Sequence, residues 1–87
     1  MFEQIREALI DYVMRTSLVF EGTREQIPLD VSLLEEGILD SYDIIEMIAF
    51  MEGEWEIMIE AEDFTKENMG SINLMSKLLA EKIEKKK

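Results

Sequence analysis

The chain has no cysteine and no histidine, and it holds one proline and four glycines in 87 residues. Without cysteine there is neither a disulfide framework nor a thiolate zinc site, and without histidine the usual general base and metal ligand are missing. Most hydrolase and zinc-enzyme chemistry is thereby excluded. Long apolar runs are absent as well: charged residues interrupt every segment, and nothing approaches the ~20 apolar residues that a membrane span needs. No membrane insertion is expected. The start, "MFEQIREALIDY", is amphipathic and acidic, unlike a basic and then apolar secretory leader, so a soluble, cytoplasmic protein is expected. Cations are scarce too. The formal net charge is −11, and residues 30–63 carry twelve acidic side chains with not one Lys or Arg. Nucleic acid is excluded as a partner, since phosphate binding needs clustered Lys and Arg.

What is present is an acidic block interleaved with Ile, Met, Phe and Trp at helical spacing, which separates it from disordered acidic tracts. A chain of this length makes one small domain, residues 1–87. Apolar residues at Phe2, Ile5, Leu9, Tyr12 and Val13 predict a first helix to about Arg15. Residues 17–39 mix turn formers with Leu18, Val19, Phe20, Ile27, Leu29, Val31, Leu33, Leu34, Ile38 and Leu39. A connection of that length is usually functional, and it is expected to be pinned to the core through these apolar residues, with a helical turn near Ser32 to Glu36. A second helix is predicted from Ser41 to about Glu54. At 100° per residue, Ile44, Met47, Ile48, Met51 and Trp55 form its core side, and Tyr42, Glu46, Ala49 and Gly53 lie opposite. "WEIMIEAEDF" reads as a connecting loop, followed by a short turn around Glu62 to Lys66. A last helix opens near Ser71, buries Ile72, Met75, Leu78, Leu79 and Ile83, and brings the terminal lysines to its negative end. The fold class is all-α: a small four-helix bundle, three main helices plus one short one, with a long loop between the first and second helices. Seven methionines are read as gap fillers of a small core, Met47, Met51 and Met58 among them.

The stretch "GILDSYDIIEMI" raises the functional question. Ser41 has the residue type of an N-cap, yet the spacing favours Asp40 for that role. Three residues on from Asp40 stands Asp43, in the reciprocal position of a capping box, whereas Ile44 stands three on from Ser41. With Asp40 as cap, the Ser41 hydroxyl is free at a helix N-terminus, where backbone N–H groups and the macrodipole favour an attached phosphate. Hydrolytic use of Ser41 would need a base and an oxyanion hole, and the chain has no histidine and no G-x-S-x-G turn. No catalytic residue and no metal site are expected; the acidic middle lacks a D-x-[DN]-x-[DN]-G calcium loop.

"GILDSYDIIEMIAFMEGEWEIMI" resembles the attachment segment of the acyl carrier and peptidyl carrier protein family, the phosphopantetheine-binding carrier domains, and the likeness of layout covers nearly the whole chain. It implies a non-catalytic shuttle. Ser41 would carry a covalent phosphopantetheine arm supported by Asp40, installed by a phosphopantetheinyl transferase. Tyr42, Asp43, Ile45, Glu46, Ala49 and Glu52 would form the face read by partners: an acyl- or aminoacyl-activating ligase and downstream synthase or synthetase enzymes. A monomer is expected. Leu39 before the Asp-Ser pair and Tyr42 after it depart from the pattern of fatty-acid carriers, and "LDS" preceded by Gly37 and Ile38 looks closer to stand-alone carriers of specialised pathways (polyketide, nonribosomal peptide or D-alanine type). An acyl carrier of fatty-acid synthesis and an unmodified, carrier-like acidic interaction domain are the alternatives.

Overall fold

The helical spacing near the N-terminus becomes α1 (Phe2–Thr16), which buries Ile5, Leu9, Tyr12 and Val13. The computed structural model describes residues 2–86, with all side chains except those of Lys66 and Glu67; Met1 and Lys87, the last of the terminal lysines, lie outside the described residues. Ile10 is buried beside the predicted stripe because α1 is covered on two sides. It packs along α4 on one, and on the other Tyr12 stacks on Phe50 of the second helix, ring centroids 4.7 Å apart.

That second helix, α2 (Ser41–Trp55), buries Met47, Ile48 and Met51, while Ile44, Phe50 and Trp55 are partly buried against the same core. Phe50 stacks at the α1 interface and meets Trp55 edge-on at 6.1 Å. After α2, Glu56 takes a left-handed conformation with φ 51°, and the chain continues extended. Alternation along an extended segment sends neighbouring side chains to opposite sides. Ile57 and Ile59 turn inward and Met58 outward, so Met58, unlike Met47 and Met51, fills no gap in the core.

The turn expected around Glu62 to Lys66 is two elements. A 3-10 turn, Ala61–Asp63, closes where the Glu60 N–H donates to Asp63 Oδ2 at 2.9 Å. The four-residue α3 (Lys66–Met69) then starts at Thr65, whose Oγ1 accepts from the Asn68 N–H at 3.2 Å. Ser71 opens α4 (Ile72–Lys86) by accepting from the Leu74 N–H at 3.1 Å. α4 buries Ile72, Met75, Leu78, Leu79 and Ile83, each removal from water being worth roughly 1.5–3 kcal/mol. The all-α bundle is as expected, and no strand occurs among the described residues.

The long loop is only partly fastened by its apolar residues. Ile27, Leu33 and Leu39 are buried and Phe20, Leu29 and Ile38 half-buried, but Leu18, Val19, Val31 and Leu34 are exposed. Polar contacts do the rest, which is why not every apolar side chain is needed inside. Arg24, in a 3-10 turn over Arg24–Gln26, pairs with both Glu7 and Asp11 of α1. The backbone N–H of Asn73 donates to the Leu29 carbonyl at 3.0 Å, and its Nδ2 donates to Asp30 Oδ1 at 2.7 Å.

Candidate functional site

The approach to α2 is built by a turn at residues 32–37. Ser32 Oγ accepts from the Glu35 N–H at 3.1 Å, and the Glu36 N–H donates to the Ser32 carbonyl at 3.0 Å. The turn then stops at Gly37, φ +73°. Its N–H donates to the Leu34 carbonyl at 3.1 Å and that of Ile38 to the Leu33 carbonyl at 2.9 Å, the double bond of a Schellman stop, which needs a left-handed residue at this place. The end of α1 is tied to the same segment: Ser17 Oγ donates to the Ile38 carbonyl at 2.7 Å and accepts from the Phe20 N–H at 3.2 Å. Leu39, only 2% exposed, then plugs into the core and fixes the height at which the next two residues emerge.

Those residues are Asp40 and Ser41. Asp40 is extended, at φ −94° and ψ 179°, and is the N-cap of α2. Its Oδ1 accepts from the Asp43 N–H at 2.8 Å, while its own N–H donates to Asp43 Oδ2 at 3.3 Å. The reciprocal box read from the spacing is therefore present, and capping makes no demand on Ser41, an exposed residue in the first turn.

Tyr42, Ile45, Glu46 and Ala49 are all exposed and form one stripe, since positions three, four and seven apart share a helix face. Tyr42 is 67% exposed and Ile45 65%, so the stripe is as apolar as it is acidic. Asp43 is half-buried and committed to the cap. Glu52 stands apart from the stripe: half-buried, its Oε2 accepts from the Ile59 N–H at 2.9 Å and holds the extended segment after α2.

The field here is negative. The exposed Tyr42 phenol has its pKa raised by hydrogen bonding to Glu46 and by the charges of Glu46 and Asp43. Tyr12 beneath is raised by burial, with Glu46 and Asp43 adding and Arg15 opposing. No group of side chains suited to hold a metal ion occurs among the described residues, and none of their helices is long and apolar enough to cross a membrane. Sequence reasoning missed the exposed Leu18, Val19 and Leu34 near this end. The available signal was that Leu18 and Val19 are adjacent in a loop with no periodicity to bury them.

An all-helical domain of this size, with its second helix opening on an exposed serine, has the architecture of the small carrier domains. No family model matches the chain. Among curated proteins, the D-alanyl carrier protein of Bacillus mycoides (strain KBAB4) is 36% identical over 53 residues, 61% of this chain and 67% of that protein. Those of Bacillus cereus (strain B4264) and Bacillus anthracis (strain CDC 684 / NRRL 3495) are 34% identical over the same shares. The chain belongs to the family of stand-alone carrier proteins to which these relatives belong.

Proposed function

We propose that the chain is a single carrier domain, residues 1–87, and that Ser41 bears a phosphopantetheine arm holding a thioester-linked acyl or aminoacyl group. The observation that supports this most is the division of labour at the head of α2: Asp40 and Asp43 satisfy the helix end between them, and the exposed Ser41 hydroxyl is left for chemistry. The group fits the place, because a phosphate ester at the first turn meets unpaired backbone N–H groups and the positive end of the helix dipole. In the loading step the Ser41 oxygen forms a bond to the pantetheine-side phosphorus of coenzyme A. The bond from that phosphorus to the bridging oxygen breaks, adenosine 3′,5′-bisphosphate leaves, and the serine proton passes to a base on the magnesium-dependent transferase.

The arm supplies the thiol that this cysteine-free chain lacks, with a reference pKa near ~8.5. The chain itself contributes position and recognition and no catalytic group. Asp40 supports the attachment point. Tyr42, Asp43, Ile45, Glu46 and Ala49 form the partner face, and Glu52 serves it by holding the neighbouring segment. The names of the relatives favour a D-alanyl or similar small aminoacyl cargo, delivered by an ATP-dependent activating ligase. Such loading belongs to the cytoplasm, where ATP and coenzyme A are available.

Incubation with coenzyme A and a broad-specificity phosphopantetheinyl transferase, followed by intact mass measurement, tests the attachment. Wild type is expected to gain the mass of one arm and Ser41→Ala none. No gain in wild type, or a gain that persists in Ser41→Ala, overturns the proposal. Loading of the modified protein with D-alanine, when a D-alanine-activating ligase and ATP are supplied, tests the cargo.

A further inference from the structure

The chain divides its cations by type. Residues 1–65 hold three arginines, Arg6, Arg15 and Arg24, and no lysine, whereas residues 66–87 hold six lysines and no arginine. Charge alone does not account for the division, because both side chains are cations at neutral pH. Chemistry separates them: a lysine amine becomes a nucleophile when it loses its proton, and a guanidinium stays protonated in proteins. In a chain without cysteine or histidine, the lysine amines are the side chains best able to attack an acyl group.

The fold keeps the division in space. Arg15 lies in the last turn of α1, the end that Ser17 ties to Ile38 close to the serine, and its guanidinium lies over the Tyr12 and Phe50 rings, 5.9 Å from each centroid. Lys86 Nζ donates to the Glu56 carbonyl at 2.8 Å, past the last residue of α2 and roughly 20 Å from its first. Lys82 Nζ pairs with Asp63 Oδ2 at 2.8 Å, and an ammonium held on a carboxylate has no lone pair to offer. Closer in, the Tyr42 phenol has its pKa raised by hydrogen bonding to Glu46 and by the charges around it, so it stays protonated and unreactive.

We infer that the confinement of lysine to residues 66–87 protects a thioester on the Ser41 arm from capture by the chain itself. The inference rests on the carrier reading above. The step avoided is aminolysis: the lysine nitrogen bonds to the thioester carbon, the carbon–sulfur bond breaks, the arm leaves as a thiolate that takes up a proton, and the amine proton passes to solvent. The product is an amide, too stable to serve as an activated acyl group. Reach decides which amines matter. From the serine oxygen to the thioester carbon the arm has about fifteen bonds and spans roughly 18 Å at about 1.2 Å a bond. Lys86 therefore stands at the limit of a fully stretched arm, where the effective concentration of a tethered group falls toward zero.

The test loads the protein from acetyl-coenzyme A with a broad-specificity phosphopantetheinyl transferase, so that the arm arrives acetylated. After removal of both, the protein is held at pH 8. Samples are treated with neutral hydroxylamine, which cleaves thioesters and spares amides, and are then read by intact mass and peptide mapping. Wild type is compared with Glu36→Lys and Glu36→Arg. Glu36 is exposed, lies outside the partner face named above, and stands five residues before Ser41, within about 18 Å even along a straight chain. Circular dichroism checks the fold of both variants. Glu36→Lys is expected to build up hydroxylamine-resistant acetyl on the substituted side chain about tenfold faster than wild type does anywhere, at a rate independent of protein concentration, as for an intramolecular step. Glu36→Arg, of the same charge, is expected to match wild type. Resistant acetyl appearing on wild-type lysines, the exposed Lys77 included, as fast as in Glu36→Lys overturns the inference and leaves the carrier reading intact. So does a rate in Glu36→Lys no higher than in Glu36→Arg. Failure of wild type to accept an arm from coenzyme A or acetyl-coenzyme A removes the carrier reading, and the inference with it.

Discussion

At its first turn α2 is held by carboxylate-to-backbone hydrogen bonds between Asp40 and Asp43, by the buried Leu39 and by the hydroxyl of Ser17 on Ile38. Past its last turn, where Glu52 holds the Ile59 N–H, cations add to the holding groups. Lys86 Nζ donates to the Glu56 carbonyl at 2.8 Å, and Lys82 Nζ pairs with Asp63 Oδ2 at 2.8 Å. At one of these ends lysines pair with the carboxylates of Asp63 and Glu56, and at the other the carboxylates of Asp40 and Asp43 bond to backbone N–H groups. The difference shows how a chain of net charge −11 gives its two ends different characters: lysines of α4 gather beyond the far end of α2, and the serine end keeps exposed acidic and apolar side chains. A cation at an end also favours it electrostatically, since lysines suit helix C-termini and carboxylates suit N-termini.

The largest test of the comparison removes the plug at the serine end. Leu39→Ala is expected to cost about 2–4 kcal/mol, the usual range for a large aliphatic residue cut back in a core, read by urea unfolding. A loss below ~1 kcal/mol would mean that hydrogen bonds alone set the height of Ser41. Next comes the cap. Asp40→Ala is expected to cost about 1 kcal/mol and to slow modification of Ser41 by freeing the first turn. Full stability combined with a full modification rate would dissolve the link between cap and attachment point.

The smallest effect belongs to the opposite end. Asp63 has its pKa lowered by its hydrogen bond with Lys82, and then by the Glu60 N–H, against the opposing effect of burial. A carboxylate depressed in the folded state contributes stability above its unfolded pKa, near ~3.9, and loses it as pH falls through the lower folded value. Lys82→Met is therefore expected to cost under ~1 kcal/mol near pH 7, with the gap to wild type closing in acid. A gap independent of pH would show that Lys82 acts there through packing alone.

The helices and the cap were legible because their signals are local. The periodicity of α1, α2 and α4 and the Asp40–Asp43 spacing are set within a few residues, and each is in place. Ser17 reaching Ile38, Asn73 reaching Leu29 and Asp30, and Arg24 reaching Glu7 and Asp11 join residues with no shared period, and nothing in the chain's pattern announces them. Glu52 shows the limit most clearly. Its position suits a partner surface, but the left-handed turn at Glu56 brings the Ile59 N–H back onto its carboxylate. Exposure in the loop was equally hidden, since the apolar character of Leu18 and Leu34 says nothing about which contacts leave them outside.

The edge-on packing of the single tryptophan, Trp55, against Phe50 gives the protein an internal lamp. It stands at the last residue of the rod whose first residue is Ser41, roughly 20 Å away along the axis at 1.5 Å per residue. A dye delivered to the serine on a coenzyme A analogue would sit within energy-transfer range of that indole. Bending or swinging of the rod during handover to an enzyme could then be followed as a change of colour, with no engineered label elsewhere in the chain.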